Sequence, residues 1–318
     1  MKKIKIGILG CANIAKNQFI PALLELKNLF EIVGIASRTE EKAKEFAAIF
    51  NIKAYVGYKN LLNENIDAIY IPLPTGLHEK WVNEALIKGI HVYAEKSLSF
   101  SVLETEEMIK NAKTYNVALM EGYTFLFHPQ HQIVQNLLLE NEIGEIRSFS
   151  SKFGFPPLLP NDFRYNKNIG GGVLFDAAGY PIKASTLILG NQLSLKSATL
   201  NLSKQFGSTF LTNNGIGVTL SYGFDNYYQC NYEIWGSKGK ITVQKAFTPR
   251  SNDEPCILLE QNNKIKEIIA PKCNQFIEAI KKFHSLITNP SMRDEVYRDM
   301  IDQSEILDKI QLMSLLEK

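Results

Sequence analysis

The first 121 residues alternate between two spacings of hydrophobic positions. Short apolar runs, which predict β-strands, are each followed by a stretch in which apolar residues recur every three or four positions, as on one face of an α-helix. The predicted strands span 3–9, 31–36, 53–56, 67–71, 91–94 and 117–121, and the predicted helices span 14–26, 39–50, a short stretch ending at 63, 78–88 and 102–115. Strands that alternate with helices are typical of a doubly wound α/β fold with a parallel sheet.

The pattern changes after residue 121. Helices are predicted at 129–140 and 172–189, and strands at 146–153, 194–203, 215–223, 227–235 and 239–245. Short turns with Gly or Asn join the later strands, which favours an antiparallel sheet. Amphipathic helices at 273–288 and 293–316 end the pattern. We therefore expect two domains: residues 1–121 with the parallel sheet, and residues 122–318 with an α+β fold and a mostly antiparallel open sheet. Packing of the last helix on the first domain is left open.

Composition and charge narrow the class of protein. The 318 residues carry a formal net charge of +2, too small an excess of Lys and Arg for the basic surface that nucleic acids or acidic membranes require. No apolar run reaches the roughly 18 residues of a membrane span. The cysteines are scattered, so neither a zinc cluster nor a disulfide framework is predicted: Cys11, Cys230, Cys256 and Cys273. Such cysteines fit a reducing compartment, and we expect a cytoplasmic protein.

A glycine turn joins the first strand to the first helix. The N–H groups at the start of a helix bind a dinucleotide pyrophosphate at this point of the fold. Gly10 permits a tight turn and Ala15 permits close packing of the helix on the strand, but Ala12 stands where a second glycine usually lets the backbone approach phosphate. We interpret the turn as the cofactor-binding element of a Rossmann domain; the alternative is an ordinary glycine-rich turn.

The end of the second strand predicts which dinucleotide binds. Ser37 and Arg38 stand where folds specific for NAD carry an acidic residue that bonds the ribose hydroxyls. A guanidinium and a hydroxyl suit the 2′-phosphate of NADP, whereas a carboxylate repels it. We therefore expect NADP(H) to be preferred over NAD(H). The alternative is that Arg38 is only a solvated residue before a helix.

Two segments offer the chemistry of carbonyl reduction, which requires a proton donor and a positive charge near the developing oxyanion. Lys96 follows a predicted parallel strand, at the edge of the sheet where open α/β folds bind ligands. Tyr180 lies four residues after Asp176 in a predicted helix that begins near Gly172. An ammonium beside the phenol would ease its loss of a proton. Taken singly, each residue has an ordinary structural explanation in surface charge or packing.

Several motifs in order resemble the Gfo/Idh/MocA oxidoreductases: GCANIA, PLPTGLHEKW, EKS, EGYTFLFHPQH and GGGVLFDAAGYP. The resemblance runs from residue 3 to about residue 190. It implies that Lys96 is a catalytic contact, in a tripeptide where Ser97 replaces the usual proline. Tyr180 stands where polyol-oxidising members carry histidine, and with TFLFHPQH it resembles the branch of NDP-hexose 3-ketoreductases, in which the tyrosine is the proton donor.

The resemblance and the turn chemistry together predict two sets of binding residues. The cofactor set is Gly10, Cys11, Ala12, Asn13, Ile14, Ser37, Arg38, Thr39, Pro72, Leu73, Thr75, His78, Glu95 and Lys96. The substrate set is Lys96, His128, Arg164, Asp176 and Tyr180. His128 and His131 form an HxxH pair without a third ligand spaced nearby, so no metal site is predicted.

The function predicted from these residues is NADPH-dependent reduction of a keto group on a sugar, namely a nucleotide-linked 3-keto-deoxyhexose. The alternative enzyme is an NAD(P)-dependent dehydrogenase of an aldose, an inositol or a dihydrodiol. A different class is a regulator that senses the cofactor without turnover, which would need neither Lys96 nor Tyr180. Apolar residues on both faces of the predicted sheet indicate a homo-oligomer, with dimer and tetramer both open.

Overall fold

The computed structural model describes residues 2–316, which divide into two compact units. One unit comprises residues 2–122 together with Phe276–Ile301, and the other comprises Tyr123–Gln275 together with residues 302–316. The sequence places one boundary between residues 121 and 122, whereas each unit of the structure combines two separate segments. The final helix accordingly contributes residues to both units.

Parallel strands form the sheet of the first unit: β1 (Ile4–Leu9), β2 (Phe30–Ser37), β3 (Lys53–Val56), β4 (Ala68–Ile71), β5 (His91–Ala94) and β6 (Leu119–Glu121). They lie in the order β3-β2-β1-β4-β5-β6, which is the order of a doubly wound Rossmann sheet and confirms the predicted fold class. The connecting helices are α1 (Ile20–Glu25), α2 (Glu40–Phe50), α3 (Tyr58–Leu62), α4 (His78–Ile87) and α5 (Val102–Thr114). Strand β4 is buried along its whole length, because both faces of a parallel sheet are covered.

The second unit holds a sheet of eight strands in the residues that the structure describes. In chain order its elements are α6 (Pro129–Leu139), β7 (Ile146–Phe155), α7 (Lys167–Gly170), α8 (Gly179–Leu189), β8 (Ser194–Asn201), β9 (Phe206–Asn213), β10 (Ile216–Phe224), β11 (Gln229–Gly236), β12 (Gly239–Val243), β13 (Cys256–Gln261) and β14 (Lys264–Ile269). The strands lie in the order β14-β13-β12-β11-β7-β10-β9-β8. Only the pair β7 and β10 is parallel among these described strands, so the predicted mostly antiparallel sheet is confirmed.

Two further helices, α9 (Gln275–Thr288) and α10 (Arg293–Leu316), complete the fold. Buried Arg293 explains why the start of α10 belongs to the first unit. Its guanidinium donates to the carbonyl of Leu286 at 2.7 Å and to both the carbonyl and the side chain of Asn116 at 3.0 Å. This one side chain therefore ties α9 and α10 to the loop that precedes β6.

The hydrophobic pattern of the sequence does not predict three strands of the second sheet: β9, β13 and β14. Most residues of β14 are exposed, so the strand shows neither a sustained apolar run nor a clean alternation. The hairpin signal is nevertheless present, because Asn262 and Asn263 join β13 to β14 and both have positive φ, 50° and 58°, as a tight hairpin turn requires.

The two helices next to the predicted sites begin in a wider conformation than the sequence predicts. A π-helical segment, Ala15–Phe19, precedes α1, and another, Leu174–Ala178, precedes α8. A proline follows closely in each case, Pro21 and Pro181. Proline has no N–H and clashes with the carbonyl four residues earlier, so an uninterrupted α-helix over 14–26 or 172–189 is disfavoured.

No helix within residues 2–316 combines the length and the apolar character needed to cross a lipid bilayer.

Candidate active site

The glycine turn lies at the carboxyl end of β1. Gly10 has φ of +135°, and a Cβ at this position would lie 2.7 Å from the Cδ2 atom of Leu73. The backbone conformation therefore favours glycine at this position, and the Leu73 side chain of the loop after β4 packs against the turn. The helix begins at Asn13, and the N–H groups of its first turn have no partner within the helix. This arrangement fits an anion such as a pyrophosphate.

The end of β2 lies beside this turn. The Cys11 thiol donates to the carbonyl of Lys42 at 3.6 Å. Burial raises the pKa of Cys11, while a hydrogen bond with Ser37 and the charge of Lys42 act in the opposite direction. Ser37 is buried, whereas Arg38 is exposed. Lys42, in the first turn of α2, thus places a positive charge close enough to act on the Cys11 thiol. The cofactor set that the sequence predicts does not include it.

The loop after β4 carries the next predicted residues, and Leu73 and Thr75 are buried within it. His78 is completely buried, and both of its ring nitrogens lie within hydrogen-bonding distance of backbone carbonyls. A ring enclosed in this way presents no polar atom to a ligand. The sequence predicts that His78 contacts the cofactor, whereas in the structure backbone carbonyls surround its ring.

Glu95 and Lys96 follow β5 directly, and both are half-buried. The peptide bond between Lys96 and Ser97 is cis. The hydroxyl of buried Tyr70 donates to Glu95 Oε1 at 2.6 Å, and burial, followed by the charge of Glu95, raises the pKa of Tyr70. The tyrosine therefore keeps its proton and holds the Glu95 carboxylate. Glu95 anchors the loop on which Lys96 stands.

All four of these segments follow parallel strands of one sheet: β1, β2, β4 and β5. Their carboxyl ends meet at the same edge, which is where open α/β sheets bind their ligands. The structure thus brings the predicted cofactor residues to one edge of the first unit.

In the second unit, Arg164 and Asp176 are brought together. Arg164 Nε lies 3.1 Å from Asp176 Oδ1, and Arg164 Nη1 lies 3.0 Å from Asp162 Oδ1. Burial lowers the pKa of Arg164, but the two carboxylates raise it by more, so the guanidinium remains charged. Its charge is already matched by Asp162 and Asp176. Arg164 therefore holds Asp176 in place rather than offering a spare positive charge to a phosphate.

Tyr180 is the second residue of α8, which packs against β7 and β10. Its ring lies among aromatic side chains, with centroid separations of 4.4 Å to Phe153, 5.6 Å to Phe247, 5.6 Å to Tyr123 and 5.9 Å to Phe125. Phe125 and Phe247 are almost fully buried. The packing restricts the tyrosine ring in a largely apolar environment. Lys96 belongs to the first unit and Tyr180 to the second.

The HxxH pair is part of the packing of the second unit. His128 Nδ1 accepts from the N–H of Gln130 at 3.2 Å, which caps α6. The ring nitrogens of His131 lie 3.0 Å from the hydroxyl of Tyr232 and 3.1 Å from the carbonyl of Ala246. Burial lowers the pKa of His128 to about 4 and that of His131 to about 3. No cluster of metal-ligating side chains occurs in the described part of the chain.

Comparison with known proteins places this arrangement in a family. Residues 4–123 match the model of an oxidoreductase family with an NAD-binding Rossmann fold, and residues 131–242 match the Gfo/Idh/MocA C-terminal domain. The chain belongs to the Gfo/Idh/MocA oxidoreductases. The family resemblance drawn from the motifs is thereby confirmed.

This oxidoreductase is similar along its whole length to reductases of nucleotide sugars. It is 36% identical to the dTDP-3,4-didehydro-2,6-dideoxy-α-D-glucose 3-reductase of Saccharopolyspora spinosa, over 97% of each chain. It is also 36% identical to the enzyme of the same name from Actinomadura kijaniata, over 96% of this chain and 94% of the relative.

Solved structures give the same result. The 3-ketoreductase from Actinomadura kijaniata in complex with NADP and TDP-benzene has a TM-score of 0.95 with 35% identity, covering 98% of both chains. Solved variants of that enzyme include one with a tyrosine replaced by phenylalanine and others with a lysine replaced by alanine or by glutamate, each with TDP-benzene and NADP.

Burial of the His131 ring leads to a prediction about how the free energy of unfolding depends on pH. Its folded-state pKa of about 3 lies below the value near 6.5 of an unfolded chain. Between these values the unfolded state binds a proton that the folded state does not, so stability falls as the pH falls from 6.5 towards 3. We expect His131→Gln to remove up to about 1.4 kcal/mol per pH unit from that slope, measured by urea unfolding at pH 8, 6 and 5.

The control is His284→Gln, because His284 is only partly buried and its substitution should change the slope less. An unchanged slope in His131→Gln would mean that the folded protein protonates His131 as readily as the unfolded chain does.

Proposed function

We propose that this oxidoreductase uses NADPH to reduce the 3-keto group of a dTDP-linked 3,4-didehydro-2,6-dideoxyhexose. The observation that carries the proposal is the match over nearly the whole chain to 3-reductases of that substrate, in a sequence that retains both Lys96 and Tyr180. The tyrosine and lysine variants of the solved relative support a role for these two residue types.

The residues at the edge of the first sheet fit NADP. The turn from Gly10 to Ile14 would hold the pyrophosphate through backbone N–H groups. Ser37, Arg38 and Lys42 supply the hydroxyl and the positive charges that suit a 2′-phosphate. Pro72, Leu73 and Thr75 would line the nicotinamide end. NADPH, when bound, supplies the hydride.

Tyr180 then completes the reduction by donating its phenolic proton to the keto oxygen, so that C3 gains a hydride and O3 gains a proton. Lys96 stabilises the negative charge on that oxygen and on the phenolate. Asp176, oriented by Arg164, accepts a hydrogen bond from a sugar hydroxyl. The aromatic residues around Tyr180 suit a deoxygenated sugar, because a hydroxyl buried among Phe153 and Phe247 would lack a partner.

Two further parts of the proposal concern the cellular compartment and the oligomeric state of the enzyme. Cys11, Cys230 and Cys256 are thiols, which suits a reducing compartment, and we place the protein in the cytoplasm. Exposed aromatic side chains on the second sheet, Phe206, Phe210 and Trp235, support a homo-oligomer built through that sheet.

The test of function is a substrate panel. We expect dTDP-linked 3,4-didehydro-2,6-dideoxyhexoses to oxidise NADPH, followed by absorbance, and free glucose, xylose and myo-inositol with NADP to give little turnover. Loss of the nucleotide should lower kcat as well as affinity, because remote binding energy positions the reacting carbon. Efficient oxidation of a free polyol, with no response to any nucleotide sugar, would establish the dehydrogenase instead. A protein that binds NADPH but turns over neither set would be the cofactor-sensing regulator.

The preference for NADPH gives a second prediction. Arg38→Ala should weaken NADPH binding by about 10- to 100-fold, since one charge-assisted hydrogen bond contributes roughly 1.5 to 3 kcal/mol, and should leave NADH binding unchanged. Protein fluorescence titration measures both. Lys88→Ala is the matched control, because Lys88 lies at the end of α4, beside the amino end of β5. Equal losses for both cofactors would show that Arg38 does not contact the 2′-phosphate.

The proton donor gives a third prediction. Tyr180→Phe keeps the aromatic packing but removes the hydroxyl, and should lower kcat by about 10²- to 10⁴-fold without changing NADPH affinity or Tm. Tyr222→Phe serves as the control, because the Tyr222 hydroxyl bonds Thr209 within the second sheet at 2.9 Å. Normal turnover by folded Tyr180→Phe would assign the proton to another donor.

A further inference from the structure

His78 lies between two loops at the cofactor edge of the first sheet. It is the first residue of α4 and is 0% exposed. Its Nε2 atom lies 2.7 Å from the carbonyl oxygen of Leu73, and its Nδ1 atom lies 3.0 Å from that of Ser97 and 3.1 Å from that of Leu98. One ring thus contacts three backbone carbonyls from two separate loops.

These loops follow neighbouring strands. The ladder between β4 and β5 ends at the pair Ile71 and Ala94, and the N–H of Glu95 adds one more bond to the carbonyl of Ile71 at 3.0 Å. Beyond that bond the backbones separate to form their loops. His78 joins them again, one residue beyond Lys96 on one side and at Leu73 on the other.

Leu73 extends this connection to the phosphate turn. Its side chain lies so close to Gly10 that a Cβ there would come within 2.7 Å. The carbonyl oxygen of the same residue lies 2.7 Å from His78 Nε2. The three loops predicted to hold the pyrophosphate, the nicotinamide and Lys96 are therefore coupled through Leu73 and His78.

The ring cannot be replaced by an apolar side chain without cost, because the buried carbonyl oxygen that accepts its N–H would lose that donor. Burial lowers the pKa of His78 although its carbonyl neighbours act to raise it. A neutral imidazole carries a single N–H, so it donates to one of the two loops and only contacts the other. Variants that keep one of the two sides are therefore informative.

We propose that His78 is a positioning residue that fixes the Lys96 loop relative to the Leu73 loop, and so sets where the Lys96 ammonium meets the substrate. The proposal rests on the proposed function in one respect, the use of Lys96 in turnover. It changes the role of His78 from a contact of the cofactor to a support for two loops that the cofactor and the substrate share.

Two conservative variants separate the two sides. The amide nitrogen of asparagine occupies the place of Nδ1, so His78→Asn keeps a donor beside Ser97 and Leu98 and should retain kcat within about 3-fold while weakening NADPH binding. The amide nitrogen of glutamine occupies the place of Nε2, so His78→Gln keeps a donor beside Leu73. It should keep NADPH affinity and lower kcat by about 10- to 100-fold, as expected for a displaced catalytic group.

A double-mutant cycle tests whether the effect passes through Lys96. In a Lys96→Met background, His78→Gln should cause little further loss of kcat, because the group that it displaces is already absent. Multiplication of the two single losses would instead show that His78 acts independently of Lys96 and would overturn the proposal.

His91→Asn is the matched control. His91 Nδ1 accepts from the N–H of Ala118 at 2.8 Å, a similar link between neighbouring strands at the opposite, amino edge of the same sheet. This variant should lower Tm without separating kcat from NADPH affinity. If folded His78→Asn and His78→Gln behave alike in both measurements, the proposal is wrong. If the wild-type protein reduces no keto sugar, the proposed function fails, and the NADPH titrations alone still decide whether His78 supports the Leu73 loop.

Discussion

The strands of the first unit run in one direction, so their carboxyl ends meet at a single edge of the sheet. The loops after β1, β2, β4 and β5 carry the candidate cofactor residues, although these loops are far apart along the chain. This edge can bind a cofactor only if the loops keep their relative positions. Buried polar groups provide this, since Tyr70 holds Glu95, the N–H of Leu98 donates to Glu121 at 2.8 Å, and His78 links Leu73 to Ser97 and Leu98.

The sequence predicted the first unit closely because its signals are local. The predicted bounds of β3 and β5 agree with the structure. For β5 the reason is burial, since a parallel strand that is covered on both faces shows a continuous apolar run. Exposed strands such as β14 lack that run, because most of their residues face solvent. The π-helical starts before α1 and α8 were missed because hydrophobic spacing does not distinguish them from an α-helix over a few residues.

Side-chain partners were the least predictable part of the candidate site. The motif that contains His78 drew attention to this residue, but the three carbonyls beside its ring belong to loops 5 to 20 residues away, and no spacing rule connects them. The pairing of Arg164 with Asp176 likewise depends on how the segment around Phe163–Tyr165 folds against the π-helical segment before α8. Such contacts follow from tertiary packing, whereas the residue types and the strand ends that carry them follow from sequence.

The protonation states of the second unit bear on which of its candidate side chains donates a proton. His128 and His131 have pKa values of about 4 and about 3 because they are buried, so at neutral pH their rings hold no readily released proton. Asp176 is paired with the Arg164 guanidinium, which favours the carboxylate and makes it an acceptor. Arg164, also in the predicted substrate set, stays protonated beside Asp162 and Asp176, which leaves Tyr180 as the candidate proton donor, with Lys96 as its proposed charged partner. The burial that makes the histidines structural thus also supports Tyr180 as the proton donor.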